Sequence, residues 1–526
     1  MASIDNQPSE NKDNYLGEQV CEVSTHDVST EVSSGTTSQE TDEQRTLWQN
    51  IKKYRKVVWI NLSLTSAILL FGYDNVVVGT VSAMPVFQQD FGEFYHDEWI
   101  LPSTWLALWN IASPLGSMFG ALFGGWCNDK IGRRKALGLN SFLSAIGVAI
   151  MYVSYLAADR TGRRVCFMMG KLVQGVAIGG VVSATQAYMS EILPVVLRGS
   201  GMAIFPTVEL LGQLTGAAVI YGSLNRGNGY AVVFGSQWPF SFVPMIVACW
   251  IPESPAWYVR KRYMEKAYAA QARLDPPGTD TSAVVARILA TIEHEELSAK
   301  ATYLECFHKR NIRRTVIVMW ANIITTVFGL PLLGKASYFL QLVGMKPHTS
   351  IIFLILGIVL GLIANMISIW TMSRVGRRTS VLSTMSIAVV LWTSMACMMI
   401  ITVVCGIGAW PASYAISAEA SALQLRAKTQ GLGWFVSAIA STVSGLCLPY
   451  VFNPDQGNLR GKTGYTYALS CLLGVVISYF LIPEMKGRTV NEIDSMFEEK
   501  IPARRFKSWN GQVLVRPPHV QSEPWV

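Results

Sequence analysis

Residues 125–134 read GWCNDKIGRR and lie between two long apolar runs of the chain. Four of these ten side chains are charged, so the segment does not fit in a hydrocarbon core and predicts a short turn between two membrane helices. Gly120, Gly124 and Gly125 lie at its start, and small residues let one membrane helix approach another closely. The stretch therefore predicts two closely packed membrane helices joined by a charged turn at the membrane edge.

This charged turn has a degenerate second copy 244 residues further along (373 − 129). Each copy ends with two adjacent arginines, Arg133 and Arg134 in the first and Arg377 and Arg378 in the second. The acid of the first copy, Asp129, is replaced by Ser373 in the second. A second motif also recurs, an acid followed by an arginine seven residues later: Glu191 and Arg198, then Glu419 and Arg426. One such pair is equally well a solvated helix end. Its recurrence favours two related halves with a shared inner charge network.

The composition indicates an integral membrane protein. Of 526 residues, 51% are hydrophobic and 15% charged, and the mean hydropathy is +0.31. The apolar residues form twelve blocks of about twenty, the length that a bilayer core requires. The basic residues lie at the block ends, so the net charge of +8 does not indicate nucleic-acid binding. The nine cysteines lack metal-ligand spacing, and no nucleotide loop or ordered nucleophile suggests a cofactor or an enzyme.

We predict an all-α membrane fold of twelve spans in two sets of six. The first set lies near Val57–Val81, Leu101–Trp126, Ala136–Ala158, Phe167–Ile192, Gly199–Leu224 and Tyr230–Trp250. The second set lies near Thr315–Val343, Ile351–Met372, Val381–Met398, Met399–Ser417, Gly431–Phe452 and Tyr465–Leu481. The predicted domains are a disordered tail (1–50), a bundle (51–251), a linker with short amphipathic helices (252–314), a second bundle (315–483) and a second tail (484–526).

Charge distribution predicts the orientation of these spans. Most basic residues of the connecting loops lie on the side of the N-terminus, which the positive-inside rule makes cytoplasmic. Both termini are then cytoplasmic, and the acidic loop 90–98 lies on the other side. Arg160, Arg163 and Arg164 form a cluster on that other side and break the rule.

Several motifs occur in order along residues 50–510 and resemble those of the sugar-porter family within the major facilitator superfamily. They are the turn 125–134, the stretches PESP (252–255) and PEMKGR (483–488), and Glu191 with Arg198. The stretches GYD (72–74), SYF (337–339) and PYVFNP (449–454) resemble more closely the fungal maltose and α-glucoside permeases, which are proton symporters. The resemblance implies a monomeric plasma-membrane transporter that rocks two six-helix halves about a central site.

Two charges inside the membrane match the proton-coupling positions of this family. An ionisable group at the bilayer centre costs about 2.5–3.5 kcal/mol, so each needs a reason to be there. Asp74 occupies the place where proton-coupled members carry their titrating acid, and Lys171 the place of an opposing arginine. Lysine keeps the charge but lacks the planar fork of arginine. The alternative reading of Asp74 is a structural partner at a helix kink.

The pocket predicted by the same resemblance differs from that of an ordinary sugar carrier. Sugar porters line it with a Gln pair, an Asn and a Tyr pair, and these places hold Thr325, Thr326, Pro331, Lys335 and Ala336. Other polar candidates are Glu209 and Gln213, one helical turn apart, with Tyr414, Ser437 and Ser441. Charges of both signs fit a charged or zwitterionic solute, or a larger amphiphilic metabolite. Alternatively, Glu209 and Lys335 pair with each other, or Lys335 snorkels outward.

Three functions remain open at this point: a small-solute transporter, an exporter or importer of a specialised metabolite, and a transport-deficient sensor.

One further expectation concerns the length of the ninth span. Ser373 and Glu419 are 46 residues apart, 16 fewer than the 62 between Asp129 and Glu191. We therefore predict a shortened ninth span and a tight turn near Cys397–Ile401. A gene product missing fifteen to twenty residues, about one span, would explain the deficit equally well.

Overall fold

The structure is a computed structural model that describes residues 47–95, 98–298, 303–394, 397–421, 425–486, 488 and 490–509. The tail predicted to be disordered lies almost entirely outside these ranges. Within them, eleven helices are long and apolar enough to cross a membrane. Together with a shorter ninth helix they confirm the all-α membrane architecture, to which the structure adds one small hairpin of strands.

Each set contains six membrane helices, numbered here from first to twelfth. The first set comprises Arg55–Val81, Ser103–Ile131, Arg133–Val153, Arg160–Ile192, Val195–Ser223, and a sixth in two pieces, Gly229–Gly235 and Trp238–Trp250. The second set comprises a seventh in three pieces (Ile312–Val327, Leu330–Leu333 and Ala336–Leu342), Pro347–Arg374, Arg377–Trp392, a tenth in two pieces (Met398–Ile407 and Ala409–Ala420), Arg426–Phe452 and Thr463–Leu481.

Shorter elements connect these helices. The α-helical ones are Leu47–Lys53, Pro85–Phe91, Pro255–Arg260, Met264–Leu274, Thr281–Ser298, Tyr303–Cys306 and Val490–Glu498. Short 3-10 helices cover Ser154–Leu156, Arg460–Lys462 and Ala503–Ser508. Two antiparallel strands, β1 (Glu93–Tyr95) and β2 (Glu98–Ile100), form the hairpin. Three of these helices, Pro255–Arg260, Met264–Leu274 and Thr281–Ser298, lie in the stretch between the two sets, and the division into domains stays a prediction.

The seventh helix, predicted as one span, breaks at Gly329. Gly329 adopts φ +97°, a left-handed conformation that favours glycine, and Pro331 follows at the start of the next piece. A side chain at Gly329 would place its Cβ 2.6 Å from the Trp392 ring. The break therefore requires glycine for two reasons: the left-handed backbone conformation, and the lack of space for a side chain beside Trp392.

The ninth helix is shortened, as predicted, but the turn that follows it lies earlier than predicted. Arg377–Trp392 contains 16 residues, and the next helix already begins at Met398, so the connection precedes most of the predicted stretch Cys397–Ile401. The reason is packing at the helix end. Trp392 is fully buried and donates a hydrogen bond from Nε1 to the Phe328 carbonyl at 2.9 Å, which anchors the last residue of the helix.

The second and fourth helices approach each other through glycine, which confirms two of the three predicted contacts. A Cβ at Gly120 would lie 2.0 Å from the Val176 carbonyl oxygen, and one at Gly124 would lie 2.6 Å from the Cα of Gly180. Gly125 has nothing within 4 Å of its Cβ position, so its assignment to the contact is wrong. Gly125 is next to Gly124 in sequence but faces away from the fourth helix.

We call the face that carries the turns at Gly132 and Gly376 the basic face, and the other the opposite face. The three arginines that break the charge rule lie on the opposite face, and two of them are paired with acids there. Arg163 lies 3.4 Å from Asp90, and Arg164 lies 2.8 Å from Glu93 and donates to the Phe91 carbonyl. Acidic loop and arginines thus form one cluster around the hairpin.

Candidate functional site

The first candidate site is a buried ion pair in the first set. Asp74 Oδ1 on the first helix lies 2.5 Å from Lys171 Nζ on the fourth, and Ser113 Oγ of the second helix donates to Asp74 Oδ2 at 2.8 Å. Lys171 is fully buried and Asp74 almost so. Losing one partner of such a pair strands a buried charge, at a cost of about 3–5 kcal/mol. The two residues predicted for proton coupling are therefore directly paired.

The second candidate site lies on the other side of the first helix, where it meets the fifth. A Cβ at Gly72 would lie 2.0 Å from the Glu209 carbonyl oxygen, so the two backbones are in contact. The Asn75 amide donates to Glu209 Oε1 at 3.1 Å, and Gln213 also hydrogen-bonds to this carboxylate. Asn75 was not among the predicted site residues, although it directly follows Asp74. Through Asp74 and Asn75, one helix turn links the buried ion pair to the predicted pocket acid.

Tyr414 is the residue of the second set of helices that lies near Glu209. It lies within electrostatic range of Glu209, stacks on Trp434 with 5.8 Å between ring centroids, and accepts a hydrogen bond from Trp410 Nε1 at 3.4 Å. Tyr414 is 37% exposed, so the group of rings borders open space between the two sets. The predicted acid and the predicted aromatic are thus neighbours across the interface.

Lys335 stands apart from Glu209. Among the described residues it forms no ion pair and no side-chain hydrogen bond, and the stem of its side chain packs against Gly79 of the first helix. The structure therefore does not show the Glu209–Lys335 pair that the sequence left open. Two residues further along, Ser337 Oγ donates to the Gly79 carbonyl at 3.3 Å. Lys335 is thus a half-buried cation of the second set that faces the first.

The remaining predicted pocket residues make fewer contacts with other side chains. Thr325 is buried and donates to the Asn322 carbonyl at 3.4 Å, while Thr326, Ser437 and Ser441 are half-buried. Asn322, which the sequence reasoning missed, donates to Ser417 Oγ at 2.9 Å and lies one helix turn before the threonines. That helical spacing from Thr325 and Thr326 is the signal that could have identified it.

Asn110 on the second helix was also missed. It is 7% exposed, yet neither its amide nitrogen nor its amide oxygen has a hydrogen-bond partner among the described residues. Its backbone lies against Gly445 of the eleventh helix, at the interface of the two sets. Buried amides are almost always hydrogen-bonded, so this side chain has unused capacity for a ligand or water at the interface.

The basic face carries a charged cluster in each set, which we call the first and second clasps. In the first, Arg133 lies 2.9 Å from Glu191 and 3.4 Å from Asp129. The Arg134 backbone donates to Glu253 at 3.1 Å, and its guanidinium donates to the Ala248 carbonyl at 2.7 Å. All four predicted residues whose side chains are described thus participate. The Arg198 side chain lies outside the described part of the structure.

The second clasp repeats this arrangement. Arg377 lies 2.8 Å from Glu419, its backbone donates to Glu484 at 3.0 Å, and the Arg378 guanidinium donates to the Ile482 carbonyl at 2.9 Å. The Arg426 side chain lies outside the described part. Glu253 and Glu484 belong to the Pro-Glu motifs already noted, but their role as partners of the clasps was not predicted.

The two clasps differ in the acid at the start of the turn, Asp129 against Ser373, and in a hydrogen bond to the buried glutamate. Ser254 Oγ donates to Glu191 Oε2, whereas Glu419 Oε2 is buried without a partner among the described residues. The place that follows the Pro-Glu motif is Ser254 in the first clasp and Met485 in the second. A buried carboxylate oxygen without a donor is unfavourable. We therefore predict that the second clasp is the weaker.

The Ser254 hydroxyl gives a test of the first clasp. We expect Ser254→Ala to leave Glu191 Oε2 without this donor and to lower thermal stability by about 1 kcal/mol. Unfolding of the purified protein in detergent, followed by tryptophan fluorescence, measures the change. Ser383→Ala, which removes a hydroxyl donating to a carbonyl of its own helix, is the control. A stability of Ser254→Ala equal to that of Ser383→Ala would contradict the assignment.

Contacts between the two sets concentrate at the opposite face. Asn453 donates to the Leu101 carbonyl at 2.8 Å, Asp455 accepts from the Ser103 backbone at 2.8 Å, and Gln341 donates to the Ala83 carbonyl at 2.7 Å. At the basic face, the described ion pairs of each clasp stay within one set. Among the described residues, the sets are thus joined by hydrogen bonds at the opposite face, and the ion pairs of the clasps do not connect them.

Comparison with known proteins agrees with this architecture. The profile of the family described as "Sugar (and other) transporter" matches residues 60–497. The chain is 29% identical to "MFS transporter fmqE" of Aspergillus fumigatus, over 95% of this chain and 98% of that protein. It is 27% identical to "General alpha-glucoside permease" of Saccharomyces cerevisiae, over 89% and 79%. An inward-open structure of the xylose transporter XylE from E. coli superposes with TM-score 0.69 at 18% identity, over 84% and 99%. This likeness shows the twelve-helix major facilitator fold.

Proposed function

The chain belongs to the sugar (and other) transporter family, and on that premise we propose a proton-coupled secondary transporter that moves a small organic solute by alternating access. The observation that carries the proposal is the Asp74–Lys171 ion pair at 2.5 Å. It is buried, lies within the first set, and is one residue from Asn75, which holds Glu209. A proton taken up by Asp74 would break the pair and change the contacts of the first helix.

The energetics permit such coupling. One proton that crosses a potential of about 100 mV releases about 2.3 kcal/mol, enough for roughly fiftyfold accumulation of a neutral solute. Release of Lys171 would strand a second charge unless the transported solute or a conformational change compensates it. We therefore place solute binding and Asp74 protonation in the same state of the transporter.

For the solute, we propose a charged or zwitterionic compound rather than an ordinary sugar. Glu209 and Lys335 come from different sets and do not pair with each other. The threonines at 325 and 326 offer fewer donors and acceptors than the glutamines of sugar porters. An unpaired polar group in a pocket forfeits about 1–3 kcal/mol, so two unmatched sugar hydroxyls would weaken binding a hundredfold or more.

A larger amphiphilic metabolite is the second candidate, and the aromatic group around Tyr414 favours it. Tyr414, Trp410 and Trp434 form a continuous set of rings beside Glu209. Such rings bury a large apolar area and stack on flat ligands. For either solute we propose a plasma-membrane location with the basic face cytoplasmic, in keeping with the positive-inside rule.

The test is a transport assay in cells that lack hexose and α-glucoside uptake. We expect no growth on low concentrations of glucose or maltose, and protonophore-sensitive movement of an organic ion in a screen of labelled solutes. Lys335→Ala should reduce that movement at least tenfold. Lys346→Ala, which removes an exposed lysine at the start of the eighth helix, should not. Growth on either sugar that is insensitive to Lys335→Ala would overturn the proposal.

A further inference from the structure

A large cleft opens on the basic face of the second set, away from the sites described above. It has a volume of about 840 Å³ and lies between the start of the seventh helix, the end of the twelfth and the helix Val490–Glu498. Its charged lining comprises five cations and one acid: Lys309, Arg310, Arg313, Lys500, Arg504 and Glu498. The cleft therefore carries an excess of four positive charges, which suits an anion with several charges.

Most of these cations are not neutralised within the described part of the chain. Arg310 pairs with Glu498. Arg313 instead lies over the Phe497 ring, 5.3 Å from its centroid, and Arg504 lies 4.7 Å from that of Phe480. A ring beneath a guanidinium fixes its position but leaves its edge free to donate. The rings thus preposition two forked donors toward the cleft, a geometry that matches phosphate oxygens.

The position of the cleft indicates where the anion comes from. Phe480 lines the cleft and is also 60% exposed at the end of the twelfth helix, where a membrane helix meets the headgroup layer. Basic pockets at membrane helix ends on the cytoplasmic side are suited to anionic lipid headgroups. We propose that this cleft binds the multiply phosphorylated headgroup of a membrane lipid of the phosphoinositide class. The acyl chains would then lie along the twelfth helix beside Phe480.

Binding to the purified full-length protein tests the proposal. In nanodiscs of neutral phosphatidylcholine, we expect saturable binding of short-chain phosphatidylinositol bisphosphate, measured by microscale thermophoresis. The double variant Lys309→Gln/Arg504→Gln should bind about thirtyfold more weakly, since each juxtamembrane basic residue contributes about fivefold. Both residues are exposed, so the fold should tolerate the change. The control is Lys261→Gln/Arg262→Gln, which removes two exposed charges of the same face outside the cleft and should change affinity less than twofold.

Two further measurements distinguish specific lipid binding in the cleft from general attraction of anions to basic residues. Glu498→Gln removes the one acid of the cleft and should strengthen lipid binding. Soluble inositol trisphosphate should bind the same cleft more weakly than the lipid, because it lacks the contact of acyl chains with the twelfth helix. Equal affinity for both would reassign the site to a free phosphate ligand and overturn the lipid assignment. Equal weakening of binding in the cleft and control variants would overturn the site itself.

Discussion

Asp74→Asn should abolish concentrative transport while leaving solute exchange across the membrane largely intact. Asparagine is nearly isosteric and still offers an oxygen to Lys171, so the hydrogen bond between the two helices is kept, although Lys171 loses its counter-ion and the protein loses stability. It cannot take up a proton, however, and the driving force from the proton gradient is lost. For a solute without net charge, such as a zwitterion, the accumulation ratio should fall from roughly fiftyfold at about 100 mV to unity. Uptake into energised proteoliposomes measures the ratio, and counterflow measures exchange.

Ser113→Ala is the matched control for this substitution. It removes the hydrogen bond to Asp74 Oδ2 and leaves both the carboxylate and its pairing with Lys171 in place. We expect it to cost about 1 kcal/mol in stability and to preserve accumulation. An Asp74→Asn protein that still concentrates solute against a gradient would remove Asp74 from the coupling mechanism.

Gly120→Val should prevent the protein from folding stably. The new Cβ would lie 2.0 Å from the backbone carbonyl oxygen of Val176, and a carbonyl in the middle of a helix cannot move aside. The second and fourth helices would have to separate, and overpacking of this kind costs about 3 kcal/mol or more. Fluorescence-detected size exclusion after a heat step should show loss of the monodisperse peak.

Gly125→Val provides an internal control for this prediction. It makes the same substitution five residues away on the same helix, where nothing lies within 4 Å of the Cβ position. Its elution profile and melting temperature should match those of the wild type. If both variants behaved alike, the close approach of the second and fourth helices would not be what stabilises the first set.

The sequence predicts the helices well because a bilayer imposes a simple rule on composition. Blocks of apolar residues give all twelve membrane helices, and the repeated turns identify both clasps before any contact is known. Contacts that depend on the angle around a helix are harder to predict. Gly124 and Gly125 are adjacent in sequence, yet only Gly124 faces the fourth helix. No count of apolar residues distinguishes them.

The pocket was harder to predict for a different reason. Whether Glu209 pairs with Lys335 depends on the distance between two sets of helices, which local sequence does not determine. The structure places Asn75 on Glu209, a partner from the first helix. Asn110, whose side chain was not expected at the interface, could be recognised only from its burial and its missing hydrogen bonds. Partners of this kind are tertiary properties.

The short ninth helix has a consequence for the lipid around the transporter. Its 16 residues span about 24 Å, whereas a typical hydrocarbon core is about 30 Å thick. The bilayer must thin beside this helix, or the helix must be shielded by its neighbours, and each ångström of mismatch costs a fraction of a kcal/mol. The cost grows in thicker, sterol-rich membranes. Bilayer thickness should therefore influence the activity and cellular distribution of this transporter, and reconstitution into lipids of graded chain length would reveal an optimum on the thin side.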